Sequence, residues 1–104
     1  MNPPHFTILG EPTRLKILEE LAIGDRNVGE LVDKLNLSQP AISKHLRVLR
    51  EAGFVDCKIA GQRRIYRIDS AQFKAIDDWL QPYRTLWSGN LDALEQFLDH
   101  EENS

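Results

Sequence analysis

Gln39, Ser43, Lys44 and Arg47 carry the most distinctive chemistry in this chain. They fall at spacings of four, one and three residues, which place them on one broad face of a helix. A glutamine amide can match an adenine edge with two hydrogen bonds, at roughly 1–3 kcal/mol of discrimination. A serine hydroxyl reaches a base or a phosphate, and the two cations suit phosphate oxygens. None of these groups forms a nucleophile–base pair, so the chemistry is recognition and not turnover. Ten residues further on, Lys58, Gln62, Arg63 and Arg64 form a second cationic set. Adjacent arginines at a hairpin tip fit a minor groove or its flanking phosphates.

The elements that would position these groups are signalled locally. Ser38 can cap a helix by accepting from an N–H of the first turn. Pro40 lies in that turn, where a missing N–H costs nothing. Ile42, Leu46 and Leu49 form a narrow apolar stripe, and Gly53 stops the helix. The predicted recognition helix runs over about 38–52, and a helix of that width fits the major groove, about 12 Å across. Residues near its N-terminus, Ser38, Gln39, Pro40 and Ser43, are expected to face base edges, with Lys44 just beyond and Arg47 on phosphate. His45 lies between the buried stripe and the exposed face. Its two roles are a hydrogen bond within the domain and a contact to DNA. Arg50 can instead pair with Glu51 or Asp56, an exposed pair worth about 0–1 kcal/mol.

After Gly53 the period changes from helical to alternating, over 54–59 and again over 64–68, with Ala60, Gly61 and Gln62 as the turn between. The predicted wing is thus about 54–68, with Tyr66 as a core or hinge aromatic and Cys57 packed in its strand. Upstream, Pro12 suits the first position of a helix whose face is Leu15, Leu18, Leu21 and Ala22, with Ile17 beside it, ending at Gly24. Asn27 and Glu30 form a capping-box pair, and Val28, Leu31, Val32 and Leu35 follow helical spacing. Phe6, Ile8 and Leu9 form a short apolar piece before Gly10.

The 104 residues fit one domain, and 41% apolar with 28% charged residues is an ordinary globular balance. No apolar run is long enough for a membrane span, and no secretory pattern opens the chain. One cysteine forms no internal disulfide, as expected in a reducing cytoplasm. The net charge of −3 is unevenly spread: −2 over 1–37, +5 over 38–68 and −6 over 69–104. A compact positive block on an acidic body is the footprint of a DNA-facing surface. Motifs of catalysis are missing: no G-x-S-x-G, no glycine-rich phosphate loop, no H-E-x-x-H and no C-x-x-C. No cofactor is expected.

Residues 70–99 return to helical spacing. Phe73, Ile76, Leu80, Tyr83, Trp87, Leu94 and Phe97 follow alternating steps of three and four, interrupted at Asn90. Trp79, Leu86, Leu91 and Leu98 widen this seam. Either it packs on the chain's own core or, as the preferred reading, it joins Phe6 in a dimer interface. Pro82 is expected to kink or split the segment into two helices. The tail residues Asp99, His100, Glu101 and Glu102 are expected to be a solvated acidic end; a metal shared with His5 of a second copy is the alternative.

The run at 37–55 (Leu-Ser-Gln-Pro-Ala-Ile-Ser-Lys-His-Leu-Arg-Val-Leu-Arg-Glu-Ala-Gly-Phe-Val), followed by Gly61, Gln62, Arg63, Arg64, Ile65 and Tyr66, resembles the arsenic-repressor (ArsR) family of winged-helix repressors. The opening helix at 11–18 resembles it too. The resemblance implies a mainly α chain with a small β-hairpin (α+β), a winged helix-turn-helix. It also implies a homodimer repressing transcription from a palindromic operator in double-stranded DNA. DNA contacts carry over onto Gln39, Pro40, Ser43, Lys44 and the wing at 62–64. Soft-metal sensors of the family hold a cysteine pair where this chain has Asn27 and Gly29. The zinc, nickel and cobalt sensors use Asp and His ligands in the last helix pair, where 71–87 lacks histidine. No metal site is therefore expected, and the C-terminal stretch resembles a branch without recognised metal sites. The alternatives are a winged-helix interaction module without DNA binding, and a metal-responsive repressor with a non-standard site.

Overall fold

The computed structural model describes residues 6–102, with side chains from 6 to 89. In chain order it runs α1 (Phe6–Leu9), α2 (Pro12–Ile23), β1 (Arg26–Asn27), α3 (Val28–Leu35), α4 (Gln39–Glu51), β2 (Val55–Ala60), β3 (Arg63–Ile68) and α5 (Ser70–Glu102). Helices dominate, and the strands form one small antiparallel sheet in the order β1-β3-β2. This is a winged helix-turn-helix, with α3 and α4 as the helix pair and β2–β3 as the wing.

Helices α2, α3, α4 and α5 each start where a side chain satisfies an orphan N–H, Asp69 Oδ1 accepting from the Ala71 N–H at α5. Glu11 caps α2 by accepting from the Arg14 N–H at 3.0 Å. At α3 both bonds of the capping box form: Asn27 Oδ1 accepts from the Glu30 N–H at 2.8 Å, and Glu30 Oε1 from the Asn27 N–H at 3.1 Å. Ser38 Oγ accepts from the Ala41 N–H at 3.3 Å to open α4. The ends are equally defined. Asn36 turns left-handed at φ 54° to finish α3. Phe54 N–H donates to the Leu49 carbonyl (2.9 Å) and Gly53 N–H to that of Arg50 (3.0 Å), which closes α4 with a Schellman motif. Gly53 takes φ 86° there, and a Cβ on it would meet Gln72 Cγ at 3.1 Å.

The core joins Ile17, Leu18 and Leu21 of α2 to Leu31 of α3 and to Ile42, Leu46 and Leu49 of α4, and closes on Phe54, Val55 and Tyr66. Burying each such side chain contributes about 1.5–3 kcal/mol. The stripe predicted for α4 is thus the one buried. On α2 the core takes Ile17, while Leu15 stays largely exposed. Leu15, Ala22, Leu9, Leu18, Ile68 and Phe73 instead line an open apolar groove of about 400 Å³.

The wing register pairs Val55 with Ile68, Cys57 with Tyr66 and Ala60 with Arg63. The turn is therefore only Gly61 and Gln62, one residue shorter than predicted, with Gly61 at φ 65° in its first position. The strand β1 pairs Arg26 with Tyr66 and Asn27 with Ile65. It makes the sheet three-stranded and not a bare hairpin.

The expected split at Pro82 does not occur. The helix α5 is assigned without a break from Ser70 to Glu102. Asp77 accepts from both Gln81 and Arg84, and Thr85 Oγ1 donates to the Gln81 carbonyl, so side-chain bonds bracket the proline. At about 1.5 Å per residue α5 is about 50 Å long, and the longest dimension of the molecule is 64 Å. Among the described side chains it meets the body in its first three turns. Phe73 lies edge-on to Phe54 at 5.3 Å, and Ile76 is half-buried. No helix among the described residues is long and apolar enough to cross a membrane.

Candidate nucleic-acid interface

The exposed face of α4 carries Gln39, Pro40, Ser43, Lys44, Arg47 and Arg50. These divide into two rows. Gln39, Ser43, Arg47 and Arg50 follow steps of four, four and three and look across to the wing, where Arg64 and Tyr66 of β3 complete a cleft of about 400 Å³ with Val28. Pro40 and Lys44 lie beside that row. The cap residue Ser38 is exposed, with its hydroxyl engaged by the Ala41 N–H.

In the wing the two adjacent arginines separate. Side chains alternate along a strand, so Arg64 shares the cleft face with Tyr66, while Arg63 shares the other with its register partner Ala60 and with Lys58 and Ile65. Gln62 sits exposed in the turn. The predicted wing groups thus surround the hairpin and do not form one row. Ile59, opposite Arg64 in register, is 71% exposed on the cleft face.

The charge in this region is largely uncompensated. Of Lys44, Arg47, Arg50, Lys58, Arg63, Arg64 and Arg67, only Arg67 makes an ion pair among the described residues, to Asp56 at 3.1 Å. That hydrogen bond, then the Cys57 backbone N–H, holds the Asp56 carboxyl below the ordinary carboxylate range. Asp56, one of the two partners expected for Arg50, thus bonds the residue directly across the strand pair, with the Arg50 charge a lesser influence on it. Burial, reinforced by the neighbouring Cys57, pushes the Tyr66 phenol up, so it remains a hydrogen-bond donor. Cys57 is a free, half-buried thiol in the wing, as its strand position predicts.

His45 occupies the first of its two possible roles. Arg14 donates from Nε to His45 Nδ1 at 3.3 Å and from Nη1 to the Ile8 carbonyl at 3.1 Å. Glu11 Oε2 lies 3.8 Å from the same ring nitrogen. The ring is thereby fastened to α1 and α2 and turned from the outward face. Desolvation opposes ionisation of Glu11, yet the hydrogen bonds from the backbone N–H groups of Arg14 and Thr13 outweigh it and lower its pKa.

The residues predicted for a dimer contact divide as well. Phe73 and Ile76 turn toward the chain's own core and Leu80 is half-buried. Tyr83 and Trp87 are exposed, each 46% accessible. Trp79 belongs with them, because Phe6 packs edge-on to Trp79 at 5.1 Å and Trp79 against Tyr83 at 4.8 Å. The result is an aromatic row at steps of four along α5, with Phe6 at its head. The side chains of Leu94 and Phe97, the acidic tail and His5 lie outside the described residues. Among the described residues no group of three His, Cys, Asp or Glu side chains could hold a metal. Asn27 and Gly29 sit at the cap and second position of α3, and the Asn27 amide is engaged in capping.

Three cleft residues, Val28, Arg50 and Tyr66, go beyond the site expected from sequence. Arg50 was set aside for an ion pair, although its spacing from Arg47 already put it on the same row. Tyr66 was assigned to the core, and it is both buried and a wall of the cleft.

Known proteins are similar to this chain in sequence and fold. Residues 11–56 match the family described as bacterial regulatory protein, arsR family. The HTH-type transcriptional regulator Rv2034 of Mycobacterium tuberculosis is 39% identical over 93 residues, covering 89% of this chain and 84% of that protein. The transcriptional repressor SdpR of Bacillus subtilis is 32% identical, covering 72% and 83%. Among solved structures, an ArsR-like transcriptional regulator from Rhodococcus sp. RHA1 superposes with a TM-score of 0.69 at 32% identity, covering 88% of this chain and 87% of that one.

Proposed function

The chain belongs to the arsR family of bacterial regulatory proteins, and we propose that it works as a homodimeric repressor, presenting α4 twice to a palindromic operator. It is a DNA-binding transcriptional regulator and not an enzyme. In the proposed complex, Gln39 and Ser43 meet base edges in the major groove. Lys44 and Arg47 hold phosphates, and Lys58, Gln62, Arg63 and Arg64 grip the flanking backbone from both faces of the wing. His45 contributes by fixing α4 against α1 and α2. The setting is the cytoplasm, and the binding step uses no cofactor.

The observation that carries this reading is the uncompensated basic face: six cations on α4 and the wing without an acidic partner among the described residues. Duplication follows from α5. An isolated helix in water is marginal without tertiary packing, and a helix this long with Trp79, Tyr83, Leu86 and Trp87 exposed needs a partner surface. The apolar groove beside Phe73 extends that surface toward α2. An isologous contact between two copies would set the recognition helices one DNA turn apart, roughly 34 Å.

Selection of bound fragments from genomic duplexes, followed by sequencing, tests the reading. Inverted half-sites about one turn apart are expected. Log affinity should fall with log salt by about 0.9 per phosphate contact. Absence of a common half-site, together with a salt slope near zero, would refute it.

A further inference from the structure

We infer that Arg47, Arg50 and Arg64 form one phosphate clamp in the cleft between α4 and the wing, with Arg50 as a backbone-gripping residue. The inference rests on the DNA-binding reading and specifies which groups hold the strand that passes between helix and hairpin.

The cleft is concave, about 400 Å³, and lined by Gln39, Ser43, Arg47, Arg50, Arg64 and Tyr66 with Val28. No carboxylate lines it. The nearest acid of the wing, Asp56, is bonded to Arg67 at 3.1 Å, and Glu30 faces Arg26 at 3.6 Å. Arg47 and Arg50 are three apart on α4 and so are neighbours on its surface, while Arg64 approaches from β3. Three arginines from two elements thus line one space that no carboxylate lines. Such a site is filled by an anion whose oxygens accept several N–H groups at once, as phosphate does. The neutral lining groups fit the same ligand: the Ser43 hydroxyl, the Gln39 amide and the Tyr66 phenol can all donate. A phosphodiester of the DNA backbone is the occupant the position favours, since the cleft separates the groove-entering helix from the wing. A free phosphate shares the chemistry.

The test uses the full-length chain and its Arg50→Gln, Arg50→Lys, Arg47→Gln and Arg64→Gln variants, with Lys16→Gln on α2 as control. In the first arm, affinity for mixed-sequence duplex DNA is measured against salt. Arg50→Gln should weaken all sequences alike and lower the salt slope by about one per protomer, about two per dimer. Arg50→Lys should keep the slope yet bind less tightly, and Lys16→Gln should match wild type. In the second arm, arginine Nε–Hε NMR signals are followed during titration with inorganic phosphate against chloride at matched ionic strength. Saturable shifts shared by Arg47, Arg50 and Arg64, and lost in Arg50→Gln, would show that the clamp also accepts a free phosphate. A slope unchanged by Arg50→Gln but lowered by Arg47→Gln and Arg64→Gln overturns the clamp and leaves DNA binding standing. Should the wild type show no salt-dependent duplex binding, the DNA reading itself fails, and the phosphate arm alone decides the clamp: saturable shifts support it, and their absence overturns it.

Discussion

Replacing Trp87 with alanine should dissociate the proposed dimer without unfolding the protomer. Trp87 lies past the part of α5 that meets the body and is 46% accessible in the single chain. A tryptophan presents on the order of 200 Å², so about 100 Å² remains to be covered by a partner. At about 25 cal/mol per Å² that is roughly 2.5 kcal/mol per copy. A two-fold interface contains the residue twice, giving about 5 kcal/mol, or a dimer constant weakened on the order of a thousandfold or more. Sedimentation equilibrium over a range of protein concentrations measures this directly. Ile59→Ala, an exposed apolar residue on the wing, serves as the control and should leave dimerisation unchanged. DNA affinity should fall in parallel, because a lone protomer reaches only one half-site. If Trp87→Ala self-associates as tightly as wild type, the aromatic row is not the contact and the reasoning from exposed surface to partner is refuted.

Other outcomes follow from the same geometry. Asn27→Ala removes the side-chain bond of the capping box, leaving the residue-27 backbone N–H to Glu30, and should lower stability by about 1 kcal/mol, read as a lower urea midpoint with an unchanged slope. Gln39→Ala should relax base preference at one position of the half-site, by roughly 1–3 kcal/mol, in a competition assay with substituted duplexes; equal weakening on every sequence would show that it reads no base. The Asp56 and Glu11 carboxyls have folded pKa values below their unfolded ones. Their stabilisation is therefore present above about pH 4 and disappears as pH falls through the depressed values. Asp56→Asn should flatten that acid limb in a melting series, whereas a limb identical to wild type would exclude the Arg67 pair as its source.

Local signals were read well from sequence, and directional ones less so. Ser38, Asn27 and Gly53 act through bonds to residues within a few positions, and Pro12 through its fixed φ at the first turn, so their types and spacing suffice to locate the helices. The stripe Ile42, Leu46, Leu49 was legible for the same reason. The strand β1 was not, because two residues carry no period and their pairing partners lie about forty positions away. Along α5 a strict seam of threes and fours put Phe73, Ile76, Tyr83 and Trp87 together. The helix instead turns the first two inward and brings Trp79 out, since a 3.6-residue period drifts from a seven-residue repeat. Pro82 illustrates a further limit: it removes one donor, and Asp77, Gln81, Arg84 and Thr85 supply side-chain bonds around it that propensity alone does not reveal. His45 could be placed only once Arg14, thirty-one positions away, was seen to bond it.

Asn27 also bears on how such a regulator changes over evolutionary time. The residue caps α3 and is the sheet partner of Ile65. It occupies a place where the family resemblance puts a soft-metal thiol. A variant with cysteine there would lose the carboxamide that starts α3, just ahead of the recognition helix, before any metal-binding benefit arose. A metal site using residue 27 would therefore come at the cost of the α3 cap, and a sensor on this fold is more easily built where no cap is lost.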